Sequence, residues 1–166
     1  GSDAELHIVG NGVERQSLEN LSQELNIESS VTFHGYVANG QPLLHLLRQC
    51  DIFLLTSYSE GFPRVIYEAM SQSIPVVVTK VGGISYLLEH EKNALLIEAG
   101  DISDTVVALQ SLLTDAKLRE RVAQAGYQFA HKAIVEEHPI HILKQHFHNK
   151  AQKLSVDPVL QTDVVP

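Results

Sequence analysis

The chain has 166 residues, 44% hydrophobic, 19% charged and 6% aromatic, a length that supports one domain with a sizeable core and leaves no room for two. Twelve Lys and Arg against twenty Asp and Glu give a net charge of −8. This argues against nucleic acid and anionic membrane surfaces as partners, because displacing their counterions takes cations. The longest apolar stretches, Ile52–Leu55 and Pro75–Val78, fall far short of the ~20 residues a bilayer requires. The single cysteine, Cys50, excludes an internal disulfide and a multi-cysteine zinc site and fits a reducing compartment. No secretory signal opens the sequence, and Gly1-Ser2 is set aside as a cloning scar. The expectation is a soluble, acidic, cytoplasmic domain.

Short β-branched runs alternate with helical periodicity. Leu6–Val9 reads as a strand stopped by Gly10, and Leu18, Leu21 and Leu25 then recur at helical spacing to about Asn26. Val31–His34 is a second strand, stopped by Gly35, and Pro42 opens a short helix carrying Leu43, Leu44 and Leu47. Asp51–Leu55 has strand length, and Pro63 opens a helix with Val65, Ile66, Ala69 and Met70 on it. Val76–Val78, a short helix over 84–88, and a strand over Ala94–Ile97 follow, then helices over 104–113, 115–131 and 136–153. Asp101 reads as the cap of the first of these three. Unbroken apolar strands mean burial on both faces, hence an α/β fold with a parallel sheet of about five or six strands between helices. Residues 1–153 are expected to form the domain and 154–166 a tail.

Chemistry concentrates between Thr56 and Met70. In an open α/β sheet ligands bind beyond the carboxyl ends of the strands, where this loop must lie. Gly61 permits close backbone approach. Pro63, at the first helical position, leaves the amides of Arg64 and Val65 without intrahelical partners, which suits an anion such as phosphate. Glu60 precedes the helix and Glu68 lies roughly 7 Å further along its axis, at ~1.5 Å per residue. Two acceptor groups astride an anion seat fit a ligand with hydroxyls at both ends and a diphosphate between them: a nucleotide sugar. Each acid also has an ordinary use, Glu60 as a complement to the helix dipole and Glu68 as a solvated surface group.

The stretch Glu60-Gly61-Phe62-Pro63 through Glu68-Ala69-Met70, followed by Ile74-Pro75-Val76-Val77, resembles the glutamate–seven residues–glutamate signature of the retaining glycosyltransferases of family 4, which have the GT-B fold. The likeness extends to Leu6–Gly12, Val31–Val37, Cys50–Ser57, Val81–Ile84 and Asn93–Ile97, in family order from residue 4 to about 130. It implies a C-terminal, donor-binding domain of Rossmann-like three-layer α/β/α build, with an N-terminal acceptor domain and the first strand lying upstream. On this resemblance Glu60 contacts hydroxyls of the transferred sugar and is the residue closest to catalysis, while Glu68 holds the ribose. Backbone of Gly61, Phe62, Pro63, Arg64 and Val65 approaches the sugar and diphosphate. Tyr36 and Val37 border the nucleobase, and the loops of Gly10, Gly12, Gly82 and Gly83 line the donor site.

The implied reaction moves a sugar from a UDP- or GDP-linked donor, with retention, to a glycan or lipid-linked acceptor in surface polysaccharide or lipopolysaccharide assembly. No permanently bound cofactor and no metal are expected, and the full-length enzyme touches the inner membrane only peripherally. Relatives place an Arg and a Lys against the diphosphate from a segment upstream of the match, so the isolated chain is expected to bind donor weakly and not to turn over. Ser73 stands where the family usually has Gly, and Tyr86 where an acidic residue is common. A GT-B epimerase or phosphorylase and a non-catalytic nucleotide-binding or scaffolding module are the alternatives.

Weaker signals take bland explanations. Gly10-x-Gly12 lacks a third glycine, Arg15 standing there, so it is not a dinucleotide fingerprint. His138, His141, His146 and His148 have no metal-ligand spacing and read as surface residues. Asp101 and Asp104 resemble an acidic metal pair only superficially, Asp101-Ile102-Ser103 reading as a helix cap, and Cys50 reads as inert core.

Overall fold

The computed structural model describes residues 4–136, so the expected helix over 136–153, the tail 154–166 and the histidines 138, 141, 146 and 148 lie outside the described residues. Within the length read as one domain, the chain divides into two compact units, Gly1–Gln49 and Cys50–Pro166.

The first unit pairs β1 (Leu6–Val9) with β2 (Val31–Gly35) in parallel, Leu6 opposite Val31 and Ile8 opposite Phe33, with a register shift before Val9. Between them run α1 (Arg15–Glu24) and a 3-10 turn over Glu28–Ser30; α2 (Gln41–Leu47) follows, with Pro42 in its first turn. Asn26, at φ 56°, ends the α1 segment in the left-handed conformation that Asn tolerates. The leucine stripe of α1 is real but uncovered within this unit: Leu18, Leu21 and Leu25 stay exposed, and Ser22 is the buried residue of the helix.

The second unit is built on a three-stranded parallel ladder, β3 (Phe53–Leu55), β4 (Val76–Thr79) and β5 (Leu95–Ile97), with β4 central. Phe53 lies opposite Val76, and Val77 opposite Leu95. All of β4 is buried, Val76, Val77 and Val78 at 0% exposure, which is what a continuous β-branched run inside a parallel sheet predicts. Val77 packs with Leu95, Ile97, Ala108, Leu112, Leu118 and Val122; Val76 and Val78 point to the other face by strand alternation. The helices are α3 (Arg64–Ser71), α4 (Ile84–Leu87), α5 (Ile102–Thr114) and α6 (Ala116–His131), and a π-helical turn over Lys132–Glu136 follows. Asp101 caps α5 through the Asp104 amide at 2.9 Å, as its position predicted, and Asp115 caps α6 by accepting from the Lys117 and Leu118 amides, both at 3.0 Å.

The class is the expected Rossmann-like α/β, with fewer strands to a ladder than the five or six expected: two in the first unit and three in the second. Apolar runs report that a strand is buried, not which strand it joins.

Ser73 has φ 59°, left-handed backbone that costs an L-residue roughly 1–2 kcal/mol and glycine almost nothing. A Gly at this point would therefore have a conformational reason. Ser73→Gly is expected to stabilise the chain by about 0.5–1 kcal/mol, because glycine's extra freedom in the unfolded chain offsets part of the relief. Urea unfolding of the two proteins checks this: a lower midpoint for the Gly variant refutes it.

Candidate functional site

The site forms at the carboxyl ends of β3 and β4, within the second unit. The chain leaves β3 at Leu55, runs through Thr56–Phe62, and enters α3. Pro63 is the residue capping α3 rather than its first helical residue, since its φ of −68° and ψ of 133° are extended; its fixed φ is compatible with both places. The first amide to fold back is that of Ile66, which donates to the Pro63 carbonyl at 3.1 Å. The amides of Arg64 and Val65 precede it and have no hydrogen-bonding partner among the described residues. They stand at the positive end of the helix dipole.

Phe62 supplies the anchor. Its ring packs on Tyr67, with centroids 4.7 Å apart, and Tyr67 stacks on Phe129 of α6 at 5.8 Å and 4°. The Phe62 side chain is thereby committed to packing, so what this position offers a ligand is its backbone. Gly61 has nothing within 4 Å of where a Cβ would stand, leaving open space at the loop's turn.

A second loop presses on the first. At Gly82, where φ is +49°, a Cβ would lie 1.9 Å from the Glu60 carbonyl oxygen; at Gly83 it would lie 2.5 Å from that of Gly61. The glycine pair was expected to line the donor site; the missing side chains also make room for the neighbouring loop, so that the pair clasps Glu60 and Gly61. Thr79, at the end of β4 and 1% exposed, reinforces it by donating its hydroxyl to the Ser57 carbonyl at 2.6 Å. Ser57 in turn donates its hydroxyl to Glu60 Oε1 at 2.7 Å. A third loop joins in, where Gly100 at φ +80° leaves room for the Tyr58 ring, whose hydroxyl would lie 3.2 Å from an added Cβ.

Both candidate acids are half-buried, and neither takes part in an ion pair among the described residues. Glu60 uses one oxygen on Ser57, while the Glu68 carboxylate has no hydrogen-bonding partner among the described residues. Their free lone pairs remain to be filled by solvent or ligand. The cations Arg64, the first residue of α3, and Lys80, just past β4, are exposed and likewise without an ion-pair partner among the described residues.

Ser57 and Thr79 were not singled out from sequence. The signal for Thr79 was the single hydroxyl ending an all-valine strand; that for Ser57 was a short polar side chain within local hydrogen-bonding reach of Glu60.

Gly10, Gly12, Tyr36 and Val37 belong to the first unit, at the carboxyl ends of β1 and β2. The Gly10 amide donates to the Gly35 carbonyl at 2.8 Å, and Gly10 and Gly12 have nothing within 4 Å of an added Cβ. Tyr36 is exposed and Val37 half-buried. Cys50 is not a nucleophile of the usual kind, since burial and then the neighbouring Asp51 charge push its thiol above the ordinary value. Asp101 and Asp104 both accept from backbone amides, Asp104 from Glu98 at 2.8 Å. Among the described residues no group of three or more His, Cys, Asp and Glu is arranged to hold a metal, and no helix is long and apolar enough to cross a membrane.

The model of the family described as glycosyl transferases group 1 matches residues 1–129. The lipopolysaccharide core biosynthesis glycosyltransferase LpsE of Rhizobium meliloti is 30% identical over 136 residues, which cover 79% of this chain and 39% of that protein. The N-acetyl-alpha-D-glucosaminyl L-malate synthase of Bacillus anthracis is 35% identical over 141 residues, covering 82% and 36%. Among solved structures, Anabaena HepE in complex with UDP-glucose superposes with a TM-score of 0.71 at 28% identity, over 77% of this chain and 36% of that one. The chain thus spans well under half the length of these relatives.

Proposed function

The chain belongs to the glycosyl transferases group 1 family, and on that premise we propose that it is the donor-binding half of a retaining family 4 glycosyltransferase. The whole enzyme would move a sugar from a UDP- or GDP-linked donor to a glycan or lipid-linked acceptor in surface polysaccharide or lipopolysaccharide assembly. Relatives named for lipopolysaccharide core biosynthesis and a structural neighbour holding UDP-glucose support this direction.

One observation carries the reading: two half-buried carboxylates free of ion pairs among the described residues, Glu60 and Glu68, stand in sequence on either side of the unpartnered amides of Arg64 and Val65. Apolar or paired side chains would have sufficed to stabilise α3. Acceptors on either side of an anion seat suit a molecule with alcohols at each end and a diphosphate between. Glu68 would grip the ribose diol and Glu60 a hydroxyl of the transferred sugar, the backbone from Gly61 to Val65 following the diphosphate and Arg64 adding charge. Tyr36 and Val37 would border the base, with Gly10 and Gly12 in the donor loop.

In this proposal Glu60 orients the sugar and stabilises positive charge growing on its ring rather than attacking it, a contribution of position and field. The leaving phosphate takes the acceptor's proton as the new bond forms on the same face. The reaction runs without a resident cofactor or metal, in the cytoplasm, with the full-length enzyme peripheral at the inner membrane. A chain spanning 39% of such a relative would bind donor weakly and not transfer, the acceptor and further diphosphate contacts coming from the remainder.

Saturation-transfer NMR of the chain against a panel of UDP and GDP sugars tests this. Contacts at ribose and sugar protons, with no transfer to added acceptor, are expected. Silence with every donor at millimolar concentration rejects the proposal and favours a scaffolding module.

A further inference from the structure

We infer that Ser57 is the positioning residue for Glu60 and sets how this site reads the hydroxyls of the donor sugar. The inference rests on the donor-binding reading and goes beyond it to how the sugar is selected.

Glu60 is held at both ends. Its backbone is fixed by Gly82, where no side chain could fit against the Glu60 carbonyl. Its carboxylate is fixed by the Ser57 hydroxyl, 2.7 Å from Oε1, a length typical of hydroxyl donation to a charged acceptor. Ser57 is itself immobile, because its carbonyl accepts from Thr79 at 2.6 Å and Thr79 ends the most buried strand of the unit. A chain of two hydrogen bonds therefore runs from the core to one oxygen of one acid.

The consequence is chemical as well as geometric. A free carboxylate turns about its terminal bond and presents both oxygens, the pattern that grips a vicinal diol bidentately. With Oε1 accepting from Ser57, Glu60 is held in one orientation; Oε1 keeps a second lone pair and Oε2 carries no hydrogen bond among the described residues. Glu68 has no such partner among the described residues and keeps both oxygens. The two acids of the signature are thus unequal, one held in a single orientation and the other free to turn.

The probes are UDP with UDP-glucose, and GDP with GDP-mannose, titrated into the chain by NMR or calorimetry; the pair used is the one the wild-type chain binds. The readout is the ratio of nucleotide to nucleotide-sugar dissociation constants, which isolates the sugar's contribution. Ser57→Ala is expected to lower that ratio roughly tenfold with nucleotide affinity unchanged, and Ser57→Thr, which keeps the hydroxyl, to retain it. Because Ser57 acts through Glu60, the Ser57→Ala/Glu60→Gln double variant should lose no more than Glu60→Gln alone. Equal weakening of nucleotide and nucleotide sugar by Ser57→Ala would mark Ser57 as part of the loop's framework and overturn the inference, as would an unchanged ratio or additive losses. If the wild type binds neither pair, the donor reading itself fails and takes this inference with it.

Discussion

Gly82→Ala is expected to abolish nucleotide-sugar binding and to destabilise the chain by about 3 kcal/mol. Left-handed backbone at φ +49° costs an alanine roughly 1–2 kcal/mol. Steric overlap adds to this, since the new methyl would stand 1.9 Å from the Glu60 carbonyl oxygen. That obstacle is backbone, which no change of rotamer can clear, so one of the two loops must move. Whichever moves, Glu60 leaves its place beside the start of α3, and displacements of about 1 Å at such sites are enough to lose function. Gly61→Ala is the control for stability, because an added Cβ there meets nothing within 4 Å. Thermal unfolding of both variants, with donor titration of Gly82→Ala, checks the pair of effects. A Gly82→Ala chain with wild-type melting and affinity would show that the loops part freely.

Glu68→Gln is expected to weaken nucleotide binding about 10–100-fold, the range for hydrogen bonds to a charged acceptor. Stability should hold within about 0.5 kcal/mol, since the carboxylate is half-buried and makes no hydrogen bond or ion pair among the described residues that its loss would orphan. The decisive comparison is between nucleotide and nucleotide sugar. Glu68→Gln should weaken both alike, because both carry the ribose, whereas Glu60→Gln should weaken only the sugar-bearing ligand. Titrating the two variants with UDP and UDP-glucose, or with the guanine pair, separates the roles. If Glu60→Gln impairs the bare nucleotide as severely as Glu68→Gln does, the assignment of the acids to opposite ends of the ligand is wrong.

Local structure was legible wherever one residue decides it. Gly10 ends a strand at the bounds its neighbours suggest, Asp101 caps a helix, and the all-valine run of β4 is buried throughout. Ser73 was legible as a departure, and its cost became visible once φ was known. Pairing was less accessible, because an apolar run marks a buried strand without naming its neighbour. The stripe on α1 marks a face without saying what covers it. At the site, the free amides could be placed from the proline that precedes the helix. The clasp could not, because Gly82 and Glu60 are separated by a helix and a strand, and a glycine pair looks alike whether it admits a ligand or another stretch of backbone.

The bond from Thr79 to Ser57 ties the fate of the site to that of the sheet. Thr79 cannot release its partner by fraying, since β4 lies between two other strands and is buried along its length. The Ser57 carbonyl should then stay bound on the slow timescale on which the interior opens, rather than that of a surface loop. On this side of the candidate site there is accordingly no door, and any gate that admits a ligand must swing from elsewhere.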